Sequence, residues 1–276
     1  MIDAHFHAWS LARGDYGWLT PDLKPIYRDV HVVDWQVLAQ AQGIQGGVLV
    51  QAAPTDAETQ YLLAQARLHP MVTGVVGWVD MQAPDAVAQV KRLAREPLLK
   101  GLRPMLQDLS DPAWILQDSI APVLQAMAQC DLVFDALITP QHLPHMRVLI
   151  ERHLDLTVVI DHGAKPTMAK EVTAEWACAI ESLASTTDPS RVVCKMSGLW
   201  TQAEPGSACE VVTPWCQALL RSFGPERLIW GSDWPVLELA GCYERWRQVS
   251  LEILKNYTDG QQAAVLGGNA RRIYRL

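Results

Sequence analysis

The sequence predicts an α/β protein of the (β/α)8 barrel type, with its active site at the C-terminal ends of the strands. Short apolar runs rich in β-branched residues alternate with longer segments of helical periodicity, the pattern of a parallel sheet with crossover helices. Eight such runs occur in 276 residues, and eight strands suit a closed barrel of roughly 200–250 residues better than an open doubly wound sheet. A third observation works by exclusion. No G-x-G-x-x-G follows the first run, where Asp3-Ala4-His5-Phe6-His7 stands instead, and no G-x-x-x-x-G-K-[ST] loop is present. A nucleotide-binding sheet is therefore the weaker reading. No repeat, linker or low-complexity segment divides the chain, so residues 1–276 are expected to form one barrel.

The expected strands run Ile2 to His7, Gly47 to Gln51, Val72 to Asp80, Leu98 to Arg103, Leu132 to Ile138, Leu156 to His162, Val192 to Ser197 and Leu228 to Asp233. Several are nearly all apolar, as strands covered on both faces should be. Helices are expected at Trp35 to Gln42, Ala57 to Leu68, Ala86 to Glu96, Ile115 to Cys130, Leu143 to His153, Ala174 to Ser185 and Pro214 to Phe223. Ala8 to Val33 is the longest segment without periodicity and carries Trp9, Tyr16, Trp18, Tyr27 and His31. After a barrel strand such a loop is either a lid or substrate wall, or an aromatic anchor to the rim. Tyr243 to Leu276 reads as the last helix and a short closing helix, with a packing role.

Acidic residues number 30 against 23 Lys and Arg, a formal charge of −7 with no basic stripe. That balance argues against a nucleic-acid or anionic-membrane partner and for a small molecule. The start has no basic and apolar leader pattern, and no stretch reaches the ~18 apolar residues of a membrane helix, so the expected location is cytoplasmic. The 6 cysteines form no C-x-x-C pair and are expected as buried thiols. Trp is unusually frequent, 11 against 3 Phe, and its large apolar face with one N–H donor suits sugar or aromatic surfaces as well as packing. The oligomeric state has no signature in the sequence.

Polar residues stand at the strand ends, where barrels place their chemistry. They are His5 and His7, Gln51, Trp78 and Asp80, Arg103, Asp135, Asp161 and His162, Lys195 and Ser197, and Ser232 and Asp233. Because side chains alternate, His5 and His7 face one space, suited to a shared metal or to donors converging on one oxygen. Asp233 ends a nearly all-apolar strand, where an unpaired carboxylate is costly. It should meet a cation, a histidine or a water that it activates; the structural alternative is a helix N-cap. His162 has its own alternative as a hydrogen-bonded core histidine, while Gly163 beside it permits close backbone approach. Lys100 and Arg103 lie three apart and face opposite sides of a regular strand. Arg103 is expected inward, as a fork for a carbonyl or carboxylate, and Lys100 toward the helix layer or solvent. The reverse parity would make Lys100 a carbamylated metal bridge.

Asp3-Ala4-His5-Phe6-His7, Asp161-His162-Gly163-Ala164-Lys165-Pro166, Cys194-Lys195-Met196-Ser197-Gly198-Leu199 and Gly231-Ser232-Asp233-Trp234-Pro235 together resemble the amidohydrolase superfamily, in order along nearly the whole chain. They are most similar to its amidohydrolase-2 branch, which contains L-fuconolactone and L-rhamnonolactone hydrolases and 2-pyrone-4,6-dicarboxylate lactonase. The resemblance implies a barrel hydrolase with His5, His7, His162 and Asp233 at the family's first-, sixth- and eighth-strand positions. The fifth strand departs from the family: Val133-Phe134-Asp135-Ala136-Leu137 has no histidine, and one ordinary metal ligand is lost.

The expected reaction is opening of a sugar lactone by water. Asp233 takes the proton, while His5, His7, His162 and Arg103 donate to the developing oxyanion. No metal is expected to be obligatory; a bound zinc would be held by His5, His7, His162 and Asp233. Gln51, Asp80, Gln107, Asp135 and Lys195 are candidates for substrate hydroxyls, and Trp78, Trp200 and Trp234 for the ring face. A pyrone dicarboxylate would ask for more inward cations, for which Arg13, Lys24 and Arg28 in the first loop are the candidates. The alternatives are that 2-pyrone-4,6-dicarboxylate-type lactonase, a zinc-dependent decarboxylase of an aromatic or unsaturated acid, and a non-catalytic sugar-binding barrel.

Overall fold

The computed structural model describes residues 1–168 and 171–276. Eight parallel strands follow in chain order around one sheet: β1 Ile2–Phe6, β2 Gly46–Val50, β3 Val72–Gly77, β4 Leu99–Leu102, β5 Val133–Ala136, β6 Val158–Ile160, β7 Val192–Met196 and β8 Leu228–Trp230. The circle closes just beyond β8, where the Asp233 N–H donates to His5 O (2.8 Å) and the His7 N–H to Trp234 O (2.7 Å). Around it lie α1 Val32–Ala41, α2 Asp56–Leu68, α3 Ala86–Leu93, α4 Ala121–Gln129, α5 Leu143–Arg152, α6 Ala174–Thr186, α7 Thr213–Phe223 and α8 Tyr243–Leu254. The larger core fills the layer between strands and helices, and the predicted barrel is the one observed.

Several element ends move. The expected helix from Ile115 is interrupted: a short turn covers Trp114–Leu116, and α4 starts only at Ala121. Pro122 fixes that start, because proline is tolerated in a first turn but breaks a helix interior. The third, sixth and eighth strands stop earlier than expected, at Gly77, Ile160 and Trp230. After β6 the reason is conformational: His162, Gly163, Ala164 and Lys165 all have positive φ, which no paired strand accepts. All described cysteines are free, and Cys178 and Cys242 are exposed, so the expectation of buried thiols fails for those two.

Two short helices, α9 Asp259–Ala263 and α10 Asn269–Tyr274, end the chain. Ala270, Ile273 and Tyr274 of α10 join Ile2, Val48, Val133, Val193 and Ile229 in a second core inside the barrel. Asn269 Nδ2 donates to the carbonyls of Pro225 (2.8 Å) and Leu228 (2.7 Å), which seats α10 at the start of β8. The C-terminal segment therefore closes the N-terminal mouth of the barrel. Among the described residues no helix is long and apolar enough to cross a membrane.

Candidate active site

At the C-terminal end of the strands lies a cavity of about 270 Å³, a size for a monosaccharide-scale ligand rather than a drug-sized one. His7, Arg103, His162 and Asp233 line it, with Trp18, Gln107, Lys165 and Gln202 among the other polar or aromatic groups. His5 lies directly behind His7, fully buried, with 3.2 Å between their Nε2 atoms.

The local backbone explains this convergence. The register of β1 on β2 shifts between Asp3 and Phe6, so β1 carries one extra residue there. Ala4 belongs to the apolar barrel core and His5 to the polar cluster above it, and a bulge is a device that re-aims a side chain in this way. Gly231 leaves the space His5 needs, since a Cβ there would lie 2.8 Å from His5 Cβ. His162 and Asp233 sit at φ 53° and 59°, in the left-handed region that costs a non-glycine residue roughly 1–3 kcal/mol. Gly198, itself at φ +57°, lies against both: a Cβ there would press on the His162 ring and come within 2.8 Å of Asp233 Oδ2.

Asp233 Oδ1 is 3.3 Å from His7 Nε2, 3.6 Å from His5 Nε2 and 3.8 Å from His162 Nε2. Burial alone would raise the Asp233 carboxyl, but His162, His7 and His5 outweigh it and hold the group well below the usual carboxylate range. Burial pushes the His162 imidazole down to about 4 against the pull of Asp233 and Asp161. Burial, joined by Lys195, also holds His5 well below its ordinary value. At neutral pH an ionised carboxylate thus faces two uncharged imidazoles. Arg103 is fixed from the side: Nη1 donates to Asp161 Oδ2 (3.3 Å) and Nη2 to Gln51 O, while Gln51 Nε2 donates to Arg103 O (2.7 Å).

The His5, His7 and Asp233 donor atoms, 3.2 to 3.6 Å apart, have the spacing and chemistry of a divalent-cation site. His7 also has the partner a ligating imidazole needs, with Nδ1 2.8 Å from Val50 O. His5 does not: its Nδ1 faces the Lys195 ammonium nitrogen at 3.1 Å, where a ligand would face an acceptor. The spacing fits a cation, but the hydrogen bonding of His5 opposes one.

The structure brings His5, His7, His162, Arg103 and Asp233 together, and of the expected substrate contacts Gln107 lines the cavity. The other seven are absent from its lining among the described residues. Gln51 is occupied in holding Arg103. Trp78 brackets Thr59 Oγ1 with its backbone N–H and carbonyl, and Asp80 is exposed, capping the Gln82 N–H (2.9 Å), because β3 ends before either. Asp135 and Lys195 point into the barrel but too deep, buried against each other at 2.6 Å. Trp200 and Trp234 are buried, their indole N–H groups given to Ser207 O (2.9 Å) and Glu238 Oε1 (2.7 Å).

In the first loop, Trp9 and Tyr16 are the anchors. Trp18 is the wall, held by its N–H to Ala52 O (2.7 Å). Arg13 is paired with Asp15 and Glu58, Arg28 with Glu238, and Lys24 is exposed, so none of the three adds charge to the cavity. Lys100 sits where the β3–β4 register slips, and its Nζ donates to Arg275 O (3.1 Å) at the opposite end of the barrel from Arg103. Sequence reasoning missed Lys165, Gln202 and Gly198 as site residues. Lys165 and Gly198 stand inside motifs quoted above and Gln202 three residues beyond one; for Lys165 the unread feature was the left-handed turn that carries His162 through Lys165.

A buried histidine-aspartate cluster at the strand ends of a parallel barrel defines a hydrolase-type amidohydrolase site, and the amidohydrolase family model matches residues 2–276. The chain belongs to that family. It is 43% identical over 279 residues to an L-fucono-1,5-lactonase of Burkholderia ambifaria, covering 100% of this chain and 95% of that one. An L-fucono-1,5-lactonase of Burkholderia multivorans is 32% identical, with 100% and 96% covered. An amidohydrolase structure from Burkholderia multivorans, solved with zinc bound, superposes with a TM-score of 0.93 at 32% identity, covering 100% and 99% of the two chains.

Proposed function

We propose that this chain is a carboxylic-ester hydrolase that opens L-fucono-1,5-lactone, or a closely related aldonolactone such as L-rhamnonolactone, to the sugar acid. The observation that carries the reading is the ionised Asp233 held at the cavity floor against His5, His7 and His162, beside Arg103. The likeness over the whole chain to two L-fucono-1,5-lactonases supports the substrate class.

Asp233 accepts a proton from water as the water oxygen bonds to the lactone carbonyl carbon. Of the four donors expected, His162 and Arg103 give hydrogen bonds to the oxyanion that forms, while His5 lies behind His7 outside the cavity lining. Collapse of that intermediate breaks the bond from the carbonyl carbon to the ring oxygen, and the ring oxygen leaves as a hydroxyl by taking from Asp233 the proton that the water gave up. General-base action of this kind is worth about 10²–10⁴-fold. Gln107, Lys165 and Gln202 are placed to meet the ring hydroxyls, and Trp18 gives an apolar face. None of these steps requires a metal, and we assign no obligatory cofactor.

The test is proton release from a panel of aldonolactones, L-fucono, L-rhamnono, D-arabinono and L-galactono, with chelator-treated enzyme. Fast turnover of one stereochemical subset is the expected result. Activity that appears only when zinc is restored overturns the metal-free part, and silence across the panel with zinc present overturns the lactonase reading.

A further inference from the structure

Lys195 is fully buried in β7, beneath the cavity, and no part of the proposed chemistry uses it directly. Its Nζ donates to Asp135 Oδ2 at 2.6 Å and to His5 Nδ1 at 3.1 Å, and lies 2.9 Å from Asp161 Oδ1 in an ion pair. Two buried carboxylates at these distances keep it an ammonium, and an ammonium has protons to give and no lone pair to accept with. Toward His5 it is therefore the donor, and Nδ1 is the acceptor. A neutral imidazole that accepts at Nδ1 carries its proton on Nε2.

The next ring has the same polarity. His7 Nδ1 is 2.8 Å from Val50 O, which only accepts, so the His7 proton is on Nδ1 and its Nε2 accepts from His5 Nε2 at 3.2 Å. Protons run one way, from Lys195 through His5 and His7 to Val50. Toward each other His7 Nε2 and Asp233 Oδ1, 3.3 Å apart, are then both acceptors, so the Asp233 carboxylate keeps its lone pairs for water. Asp135 is held in turn by Tyr274, whose hydroxyl lies 2.8 and 2.9 Å from the two carboxylate oxygens. Tyr274 belongs to α10, the helix that closes the other mouth of the barrel.

We propose that Lys195, itself held by Asp135 and by Tyr274 of the C-terminal helix, is a positioning residue that fixes the proton of His5 on Nε2. His5 then gives that proton to His7 Nε2, and with Nε2 protonated and Nδ1 occupied by Lys195 it is not a metal ligand. The catalytic consequence rests on the lactonase reading; the proton placement does not.

The decisive measurement is the imidazole 15N spectrum of the histidine-labelled wild-type enzyme, with His5 assigned by its absence in His5→Gln. The expected result is a protonated Nε2 and an unprotonated Nδ1 at His5, and the reverse pattern overturns the proposal. Lys195→Met should bind zinc more tightly than wild type by roughly 10–100-fold, because Asp161 Oδ1, 3.6 Å from His5 Nδ1, can then take the N–H that a ligating imidazole donates. Unchanged zinc affinity in folded Lys195→Met counts against it.

That variant leaves two buried carboxylates without their cation, which destabilises the fold, so Tyr274→Phe is the gentler arm. It should lower kcat roughly 2–10-fold at constant KM, the worth of one hydrogen bond, with the His5 15N pattern more mixed than in wild type. Unchanged kcat and spectrum remove Tyr274 from the device. If no lactone is turned over while the wild-type spectrum is as expected, the functional reading fails and the proton placement stands.

Discussion

Along β5 the barrel interior passes from Val133 to Asp135, along β6 and its end from Val159 to Asp161, and along β7 from Val193 to Lys195. Two residues of a strand, roughly 7 Å, separate a dry apolar layer from one that buries charge. The lower layer, plugged by α10, is built of aliphatic side chains and the Tyr274 ring, whereas the upper layer packs Lys195, Arg103, Asp135, Asp161 and Asp233 against three histidines. Buried charges add little net stability, since their desolvation consumes most of their attraction, but breaking one pair is costly. The lower layer is therefore read as the source of stability, and the upper layer as a fixed set of charges that this stability makes tolerable.

The largest effect that separates the two layers is expected at Asp233. Asp233→Asn removes the base and should lower kcat by about 10²–10⁴-fold per folded molecule. Retention of most of the wild-type kcat would remove Asp233 from its role.

In the lower layer the signature should reverse. Ile229 of β8 is fully buried in the inner core, and Ile229→Ala should cost roughly 2–5 kcal/mol in urea unfolding. Turnover per folded molecule should remain near wild type at low temperature. A loss of kcat as large as that of Asp233→Asn, with unfolding unchanged, would dissolve the distinction between the layers.

The same two layers explain what was legible in the sequence. The apolar layer writes itself as β-branched runs, so all eight strands and their order were readable, as were His5, His7, His162 and Asp233 at their ends. Asp135 and Lys195 were readable as polar residues at strand ends, but position along a strand in the sequence says nothing of depth, and both lie below the cavity. The register shifts in the β1–β2 and β3–β4 pairs leave no mark in residue type, and they decide how His5 and Lys100 are aimed. Trp78, Trp200 and Trp234 failed as sugar surfaces because an indole that packs in the core and one that faces a ligand use the same residue.

A smaller effect tests whether buried charge at the upper end extends to its rim. Glu58, in the first turn of α2, is fully buried; Oε2 accepts from the Tyr16 hydroxyl (2.7 Å) and Oε1 from the Ala52 N–H (3.1 Å), with Arg13 at 3.4 Å. These contacts tie the first loop, and with it Trp18, to the end of β2. Burial raises the Glu58 carboxyl from 4.5 to about 7, against the pull of Tyr16, Ala52 and Arg13. The folded protein thus keeps this proton to higher pH than the unfolded chain does. Its contribution to stability is fully present below 4.5 and is lost as pH rises through about 7. Glu58→Gln should therefore shrink the fall in unfolding free energy between about pH 5 and about pH 8, read from urea midpoints at the two values. An equal fall in both proteins would mean that Glu58 is ionised throughout, and that the rim carries its charge as the site floor does.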